Sequence, residues 1–130
     1  MNARRVAYLG YLMVRSPFLL VVLARSLKDH AWEMHPEVLM ADLARWAVAA
    51  TYSGAPEADE ALDELLAGLE SSYGTDEDLA ELISIGFLET LSWLDCSGTL
   101  GMRFGPRLAT RWREIDKARP EPPGSRQKEG

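Results

Sequence analysis

Basic residues are missing from the middle of this 130-residue sequence. No lysine or arginine occurs from Trp46 to Met102, although the same stretch holds twelve of the twenty acidic residues of the chain. All the positive charge therefore lies in the two flanking segments, and the net charge of the whole chain is −6. This balance argues against a general nucleic-acid binder, because such proteins carry an excess of positive charge.

Cysteine and histidine are also scarce, and this limits the possible chemistry. Cys96 is the single cysteine, which excludes a disulfide within the chain and suits a reducing compartment. We therefore expect a cytoplasmic protein, with Cys96 as an incidental thiol rather than a nucleophile. His30 and His35 flank a break before Pro36 and supply two metal ligands at best, whereas protein metal sites need three or four. We expect no metal and no cofactor.

Long apolar runs are absent as well. Arg15 and Pro17 divide the apolar residues near the N-terminus into pieces shorter than the roughly 20 residues that a bilayer-spanning helix needs, so no membrane association is expected. A signal peptide can be drawn over this region. The second piece continues into polar, helix-compatible sequence, however, and a buried helix is the favoured interpretation. We assign residues 1–15 to an N-terminal extension, with Met13 as an alternative start of the protein.

The remaining sequence shows helical spacing and no strand-like alternation. It predicts an all-α protein with about five helices in a single compact bundle, for which helical-repeat-like (HEAT-like) packing is one arrangement. The predicted domain covers residues 16–118, and the proline-rich residues 119–130 are predicted to be a disordered tail. Helix starts and ends are marked at Ser16-Pro17, His35-Pro36, Ser53-Gly54, Pro56, Gly74 and Gly105-Pro106.

Two helices of this bundle allow a more detailed prediction. The segment from Asp76 to Leu94 has the most regular apolar spacing, and we expect the rest of the chain to pack around it. Gly86 within it costs about 1 kcal/mol relative to alanine, which indicates either a close helix crossing or simple tolerance of glycine. In the helix that begins at Pro17, the residues predicted to face the core are Phe18, Val21, Val22 and Ala24.

The acidic residues of the middle segment lie on the polar faces of two predicted helices. A solvated surface is one interpretation, and a docking face for a basic protein partner is the other. Ordinary surfaces mix both signs of charge, so a segment without any positive residue favours a use for its negative field. The predicted partner-binding residues are Asp59, Glu60, Asp63, Glu64, Glu70, Asp76, Glu77, Asp78 and Glu81.

Charged residues outside this segment have structural interpretations first. Asp42 and Arg45 lie three residues apart on an otherwise apolar helix and form a candidate buried ion pair, because an unpaired buried polar group costs about 1–3 kcal/mol. A functional pocket is the alternative. The arginines near the C-terminus either bind phosphate at a helix N-terminus or neutralise the acidic segment within the fold, and we favour neutralisation. These arginines are Arg103, Arg107, Arg111 and Arg113.

Three segments carry a resemblance to a known group of proteins. These segments are the helix containing Asp42 and Arg45, the run Phe87-Leu88-Glu89-Thr90-Leu91, and Gly105-Pro106 followed by Trp112. Over about residues 18–117 the chain resembles small all-helical bacterial domains of unknown function, some of which are similar to immunity proteins of bacterial toxin systems. The resemblance implies an all-helical fold and no particular activity.

These observations lead to a function hypothesis. No catalytic motif is present, and we expect a non-enzymatic bacterial protein that resembles an immunity-type inhibitor and uses its acidic face to block a basic partner such as a toxin. One alternative is a structural module that forms homo-oligomers through Trp32, Trp46 and Trp93. Another is an enzyme whose carboxylates meet in a cleft between helices.

Overall fold

A computed structural model of the protein describes residues 3–14, 16–33, 35–94 and 100–118, and all regular secondary structure in these ranges is helical. The helices are α1 (Ala3–Met13), α2 (Pro17–Asp29), α3 (Pro36–Ser53), α4 (Pro56–Tyr73), α5 (residues 77–94) and α6 (Pro106–Ala118), with a 3₁₀ turn at Leu100–Arg103 before α6. The all-α prediction is confirmed. The described residues form six helices rather than about five, and the helical-repeat-like packing stays a prediction.

The additional helix is α1, in the segment that the sequence analysis assigned to an extension. Leu9, Leu12 and Met13 are fully buried and belong to the same core cluster as residues of the other helices. A methyl group built on Gly68 of α4 would lie 2.8 Å from Leu12 Cδ2, so α1 approaches α4 closely. Residues 3–14 are therefore part of the bundle, because their apolar residues recur at helical spacing and cover the core. No helix in the described ranges has both the length and the apolar character needed to cross a membrane.

Local signals at the helix starts act as the sequence predicts. Pro17, Pro36, Pro56 and Pro106 each occupy the first position of a helix, where the ring already holds the required φ angle and the missing N–H is not needed. Ser16 Oγ accepts a hydrogen bond from the Phe18 amide at 3.2 Å and caps α2. These starts depend on residues that are neighbours in the chain.

The centre of the bundle is α3, which packs against α1, α2, α4 and α5. Apolar residues occur around most of its circumference, and its buried residues are Leu39, Met40, Leu43, Ala44, Ala47 and Ala50. The prediction that the segment 76–94 lies at the centre is wrong, because α3 contacts more of the other helices. The helix α5 covers one side of α3 and leaves Ile85 and Trp93 exposed to solvent.

The helix α5 is also less regular than its apolar spacing indicated. Its middle, Ile83–Leu88, is a π-helical turn between the α-helical segments Glu77–Leu82 and Glu89–Leu94. Gly86 lies in this turn against α3, and a methyl group built on it would lie 2.5 Å from Met40 Cβ and 3.3 Å from the Glu37 carbonyl oxygen. The close crossing is therefore the explanation for this glycine. The π-helical turn admits an extra residue per turn at this contact.

The inward face of α2 differs from the prediction. Leu19, Val22 and Ser26 are buried, whereas Phe18 and Val21 are exposed and only Val22 of the predicted set reaches the core. The run from Phe18 to Ala24 is apolar at every position, so its sequence pattern does not determine which side turns inward. The contacts of α2 with α3 and α4 make that choice.

Candidate acidic docking site

Two of the predicted partner-binding acids bind an arginine from the C-terminal part of the chain. Asp59 and Asp63 lie one turn apart on α4, and Arg103 donates from Nη1 to Asp59 Oδ1 at 2.6 Å and from Nη2 to Asp63 Oδ1 at 2.5 Å. Partial burial lowers the pKa of Arg103, but the hydrogen bonds to Asp63 and Asp59 outweigh this effect and the net pKa is raised. Asp59 and Asp63 thus hold the 3₁₀ turn on α4.

Glu70 has a different structural task at the end of α4. Its Oε2 accepts a hydrogen bond from the Arg107 amide at 2.9 Å, and its Oε1 accepts one from the Leu108 amide at 3.0 Å. These amides belong to the first turn of α6, where backbone N–H groups have no partner within the helix. A methyl group built on Gly105 would lie only 2.6 Å from Glu70 Cδ, so the glycine leaves room for this carboxylate. Glu70 is therefore the N-terminal cap of α6, supplied by another helix.

Arginines of α1 bind the acids at the start of α5. Arg4 forms an ion pair with Asp76, whose Oδ1 also caps α5 by accepting from the Asp78 amide at 2.9 Å. Arg5 is more enclosed, with a side chain only 12% exposed, and binds Asp78 at 2.7 Å and Glu37 of α3 at 2.5 Å. The hydrogen bond to Asp78 is the main cause that raises the pKa of Arg5. These contacts connect α1, α3 and α5.

The predicted acidic face is thus divided by its internal partners. Five of the nine predicted acids bind an arginine side chain or cap a helix, and these are Asp59, Asp63, Glu70, Asp76 and Asp78. The other four, Glu60, Glu64, Glu77 and Glu81, form no ion pair within 4 Å in the part of the chain that the structure describes. Of the four C-terminal arginines, Arg103 binds carboxylates of the acidic segment. Arg107 Nη1 contacts the Glu70 carbonyl oxygen at 3.4 Å, and Arg111 pairs with Glu114 at 3.2 Å.

A groove on α4 brings three exposed carboxylates together. Glu57, Glu60 and Glu64 follow each other at helical spacing and line a depression of about 290 Å³ beside the start of α2. Ser16, Pro17, Phe18 and Ala61 form the rest of its lining. We call this depression the acidic groove. Glu57 was counted in the acidic segment of the sequence but not among the predicted partner-binding residues, because its nearness to α2 depends on the tertiary fold.

The acidic groove combines negative charge with an apolar anchor. None of its three carboxylates forms an ion pair with a described residue, and Phe18 at its edge is 39% exposed. A cationic side chain entering the groove would meet three carboxylates on one side and could lay its apolar stem against Pro17 and Phe18. Such a surface suits lysine or arginine side chains of a partner.

The candidate ion pair of α3 lies at the surface rather than in the core. Arg45 Nη1 donates to Asp42 Oδ1 at 3.0 Å, but the Arg45 side chain is 59% exposed and that of Asp42 28% exposed. The prediction of the pair is matched by this contact, and its burial is not. The pair lines a groove of about 340 Å³ between α2 and α3, together with Val22, Arg25, Ser26, Asp29, Trp46 and Ala49. The long arginine stem lets the charge reach water from an apolar helix.

The histidines lie near each other without forming a metal site. The rings of His30 and His35 are 5.7 Å apart between centroids, and His35 Nε2 is 3.5 Å from Glu33 Oε2. Within the described ranges, no group of three or more histidine, cysteine, aspartate or glutamate side chains has an arrangement that could hold a metal ion. Asp95, Cys96 and the predicted tail at 119–130 lie outside the described residues.

The comparisons with known proteins found no relative of this chain. No protein-family model matches the chain, and neither curated proteins nor solved structures give a match.

Proposed function

We propose that this protein is a non-enzymatic binding protein that uses the acidic groove to dock a basic protein partner. In this proposal it acts as an immunity-type inhibitor in a bacterial cytoplasm, and the partner is a toxin or another protein with a basic surface. The observation that carries the proposal is the set of three exposed carboxylates, Glu57, Glu60 and Glu64, beside the exposed ring of Phe18.

The contrast with the other acids supports this choice of surface. Asp59 and Asp63 lie on the same helix but are already bound to Arg103, so they contribute to the fold. A carboxylate without an internal cation contributes its full charge to a partner. Charge of this kind steers association and makes it faster at low ionic strength.

The placement of the carboxylates favours binding over acid–base catalysis. All three lie on α4 and face one side of the groove, one helical turn from each other. General acid–base chemistry uses two groups whose surroundings push their pKa values apart. Three similar carboxylates on one exposed helix face provide similar surroundings, and they suit the recognition of several positive charges.

The acids that pair internally have to be left intact in a test of this proposal. We would replace Glu60 and Glu64 by lysine, and use Glu77→Lys with Glu89→Lys as the matched control. Both double variants change the net charge equally, and all four side chains are exposed. Tagged wild-type protein is used to capture partners from source cells at low salt, and a captured protein is purified for binding measurements.

The expected result is a difference between the two double variants. Reversal at Glu60 and Glu64 weakens binding of the purified partner by at least about 100-fold, since each lost close charge pair at an interface is worth more than about 1.4 kcal/mol. The control at Glu77 and Glu89 leaves the affinity within a few-fold. If the groove variant binds as tightly as wild type with the same salt dependence, the acidic groove is not the docking site. If the captured protein is a toxin, its inhibition by wild type and not by the groove variant tests the inhibitor role.

A further inference from the structure

The outer face of the first two turns of α2 is apolar and exposed to solvent. Leu19, Val22 and Ser26 are the residues that α2 buries, while Val21 on the opposite side is 58% exposed. Leu20 and Ala24 are exposed as well. An amphipathic helix of a monomer normally presents polar residues on this side, so the composition of this face requires a different explanation.

Trp32 extends this apolar face beyond the end of the helix. Its amide donates to the Leu27 carbonyl oxygen at 2.6 Å, and Ala31 before it has a φ of 55°, which together close the helix C-terminus. Trp32 itself has a φ of 65°, a left-handed conformation that is an outlier for a bulky residue. In helix ends of this kind the residue at this position usually packs on its own helix. Here the indole is 71% exposed.

Charges of both signs lie on the same face. Arg25 and Asp29 are one helical turn apart, and they line both the groove of about 340 Å³ towards α3 and a second groove of about 550 Å³ on the outer side of α2. Val21, Ala24, Lys28 and Trp32 complete the lining of the second groove. Neither Arg25 nor Asp29 forms an ion pair with another residue of the described ranges. The two side chains form a ridge between two grooves.

We propose that this face is a homodimer interface, in which α2 packs antiparallel against α2 of a second copy. A two-fold axis makes an interface self-complementary, so that residue i of one copy meets residue j of the other and the reverse. With the axis at the level of Leu27, Arg25 of each copy lies opposite Asp29 of the other, on the same flank of the helix pair.

The same arrangement accounts for Trp32. Trp32 follows the end of α2 in each copy. In the antiparallel pairing it reaches the level of Val21 and Val22 of the other copy, so the two indoles cover the exposed apolar residues at both ends. Ala24 is small and lets the helix axes approach. The dimer therefore uses the apolar face, both unpaired charges and the exposed indole at once. It does not depend on the proposed function.

The test uses two charge reversals that repair each other across the interface. Arg25→Glu gives a face with two acidic positions, and Asp29→Arg gives one with two basic positions. Each variant alone places like charges opposite each other at both symmetry-related sites, and each single variant weakens self-association by about tenfold or more. A one-to-one mixture of the two variants restores opposite charges at both sites and forms a heterodimer. Arg113→Glu on the exposed side of α6 is the matched control.

The measurement is sedimentation equilibrium of the full chain over a wide concentration range, with circular dichroism to check the fold of each variant. Wild type and Arg113→Glu are expected to shift from monomer to dimer as concentration rises, both single variants to remain mainly monomeric, and their mixture to dimerise. A wild type that stays monomeric at all concentrations overturns the proposal, as do single variants that dimerise like wild type. Single variants that fail to dimerise and are not rescued by mixing overturn the antiparallel pairing.

Discussion

Gly86 at the crossing of α3 and α5 provides a quantitative test of the packing. A methyl group at this position would lie 2.5 Å from Met40 Cβ and 3.3 Å from the Glu37 carbonyl oxygen. Met40 Cβ is fixed by the backbone of α3, so a side-chain rotation cannot remove the overlap and the two helices must move apart. Overpacking of this kind costs about 1–3 kcal/mol. The gain in helix propensity on replacing glycine by alanine is about 1 kcal/mol and offsets only part of it.

We therefore expect Gly86→Ala to change the free energy of unfolding by a loss of about 0–2 kcal/mol, the overpacking cost less the gain in propensity. Gly10 in α1 is the matched control, because a methyl group built on it meets no atom within 4 Å. Gly10→Ala should raise the free energy of unfolding by up to about 1 kcal/mol.

Urea denaturation followed by circular dichroism measures both values. If the slope of the unfolding free energy against urea concentration is unchanged, the variant differs from wild type in stability. If Gly86→Ala gains as much stability as Gly10→Ala, the close crossing does not exist in solution.

Three further expectations concern the polar contacts between helices. Glu70→Ala removes the carboxylate that caps α6 and should lower the free energy of unfolding by about 1–2 kcal/mol, and Glu70→Gln should cost less because one oxygen still accepts. Arg5→Ala should cost about 2 kcal/mol because two carboxylates lose a largely enclosed partner, whereas Arg4→Ala should cost less because the Arg4 side chain is 70% exposed. Equal losses for the two arginines would contradict the difference in burial. Arg103→Ala should cost about 1 kcal/mol at low salt and less at 1 M salt, and a loss that is independent of salt would exclude the ion pairs as its cause.

The helix boundaries were predictable from sequence because their chemistry is local. Ser16 and Pro17 cap and start α2 with atoms that are neighbours in the chain, and the same holds for Pro36 and Pro56 at the next two helices. The orientation of α2 was not predictable. Its apolar residues occur at every position of the first two turns, and only the neighbouring helices decide that Leu19 is buried and Val21 is not.

The acidic character of the candidate site was predictable from the sequence, but the set of residues that form it was not. The absence of basic residues from the middle of the chain pointed to the acidic helices. The pairing of Arg103 with Asp63 joins residues 40 positions apart, however, and no local sequence pattern predicts it. In the same way, Glu57 and Phe18 meet in one groove only because α2 packs beside α4. The π-helical turn at Gly86 likewise lies against α3, and glycine alone does not indicate it.

The ion pairs that Arg4 and Arg5 of α1 form at the start of α5 limit how far the chain can be shortened. A version that begins at Met13 would lack Leu9 and Leu12, which fill the core, and also Arg4 and Arg5. Two costs then coincide, because an apolar cavity opens while carboxylates gathered at a helix start lose their counter-charges. Removing residues at this end therefore perturbs the whole bundle.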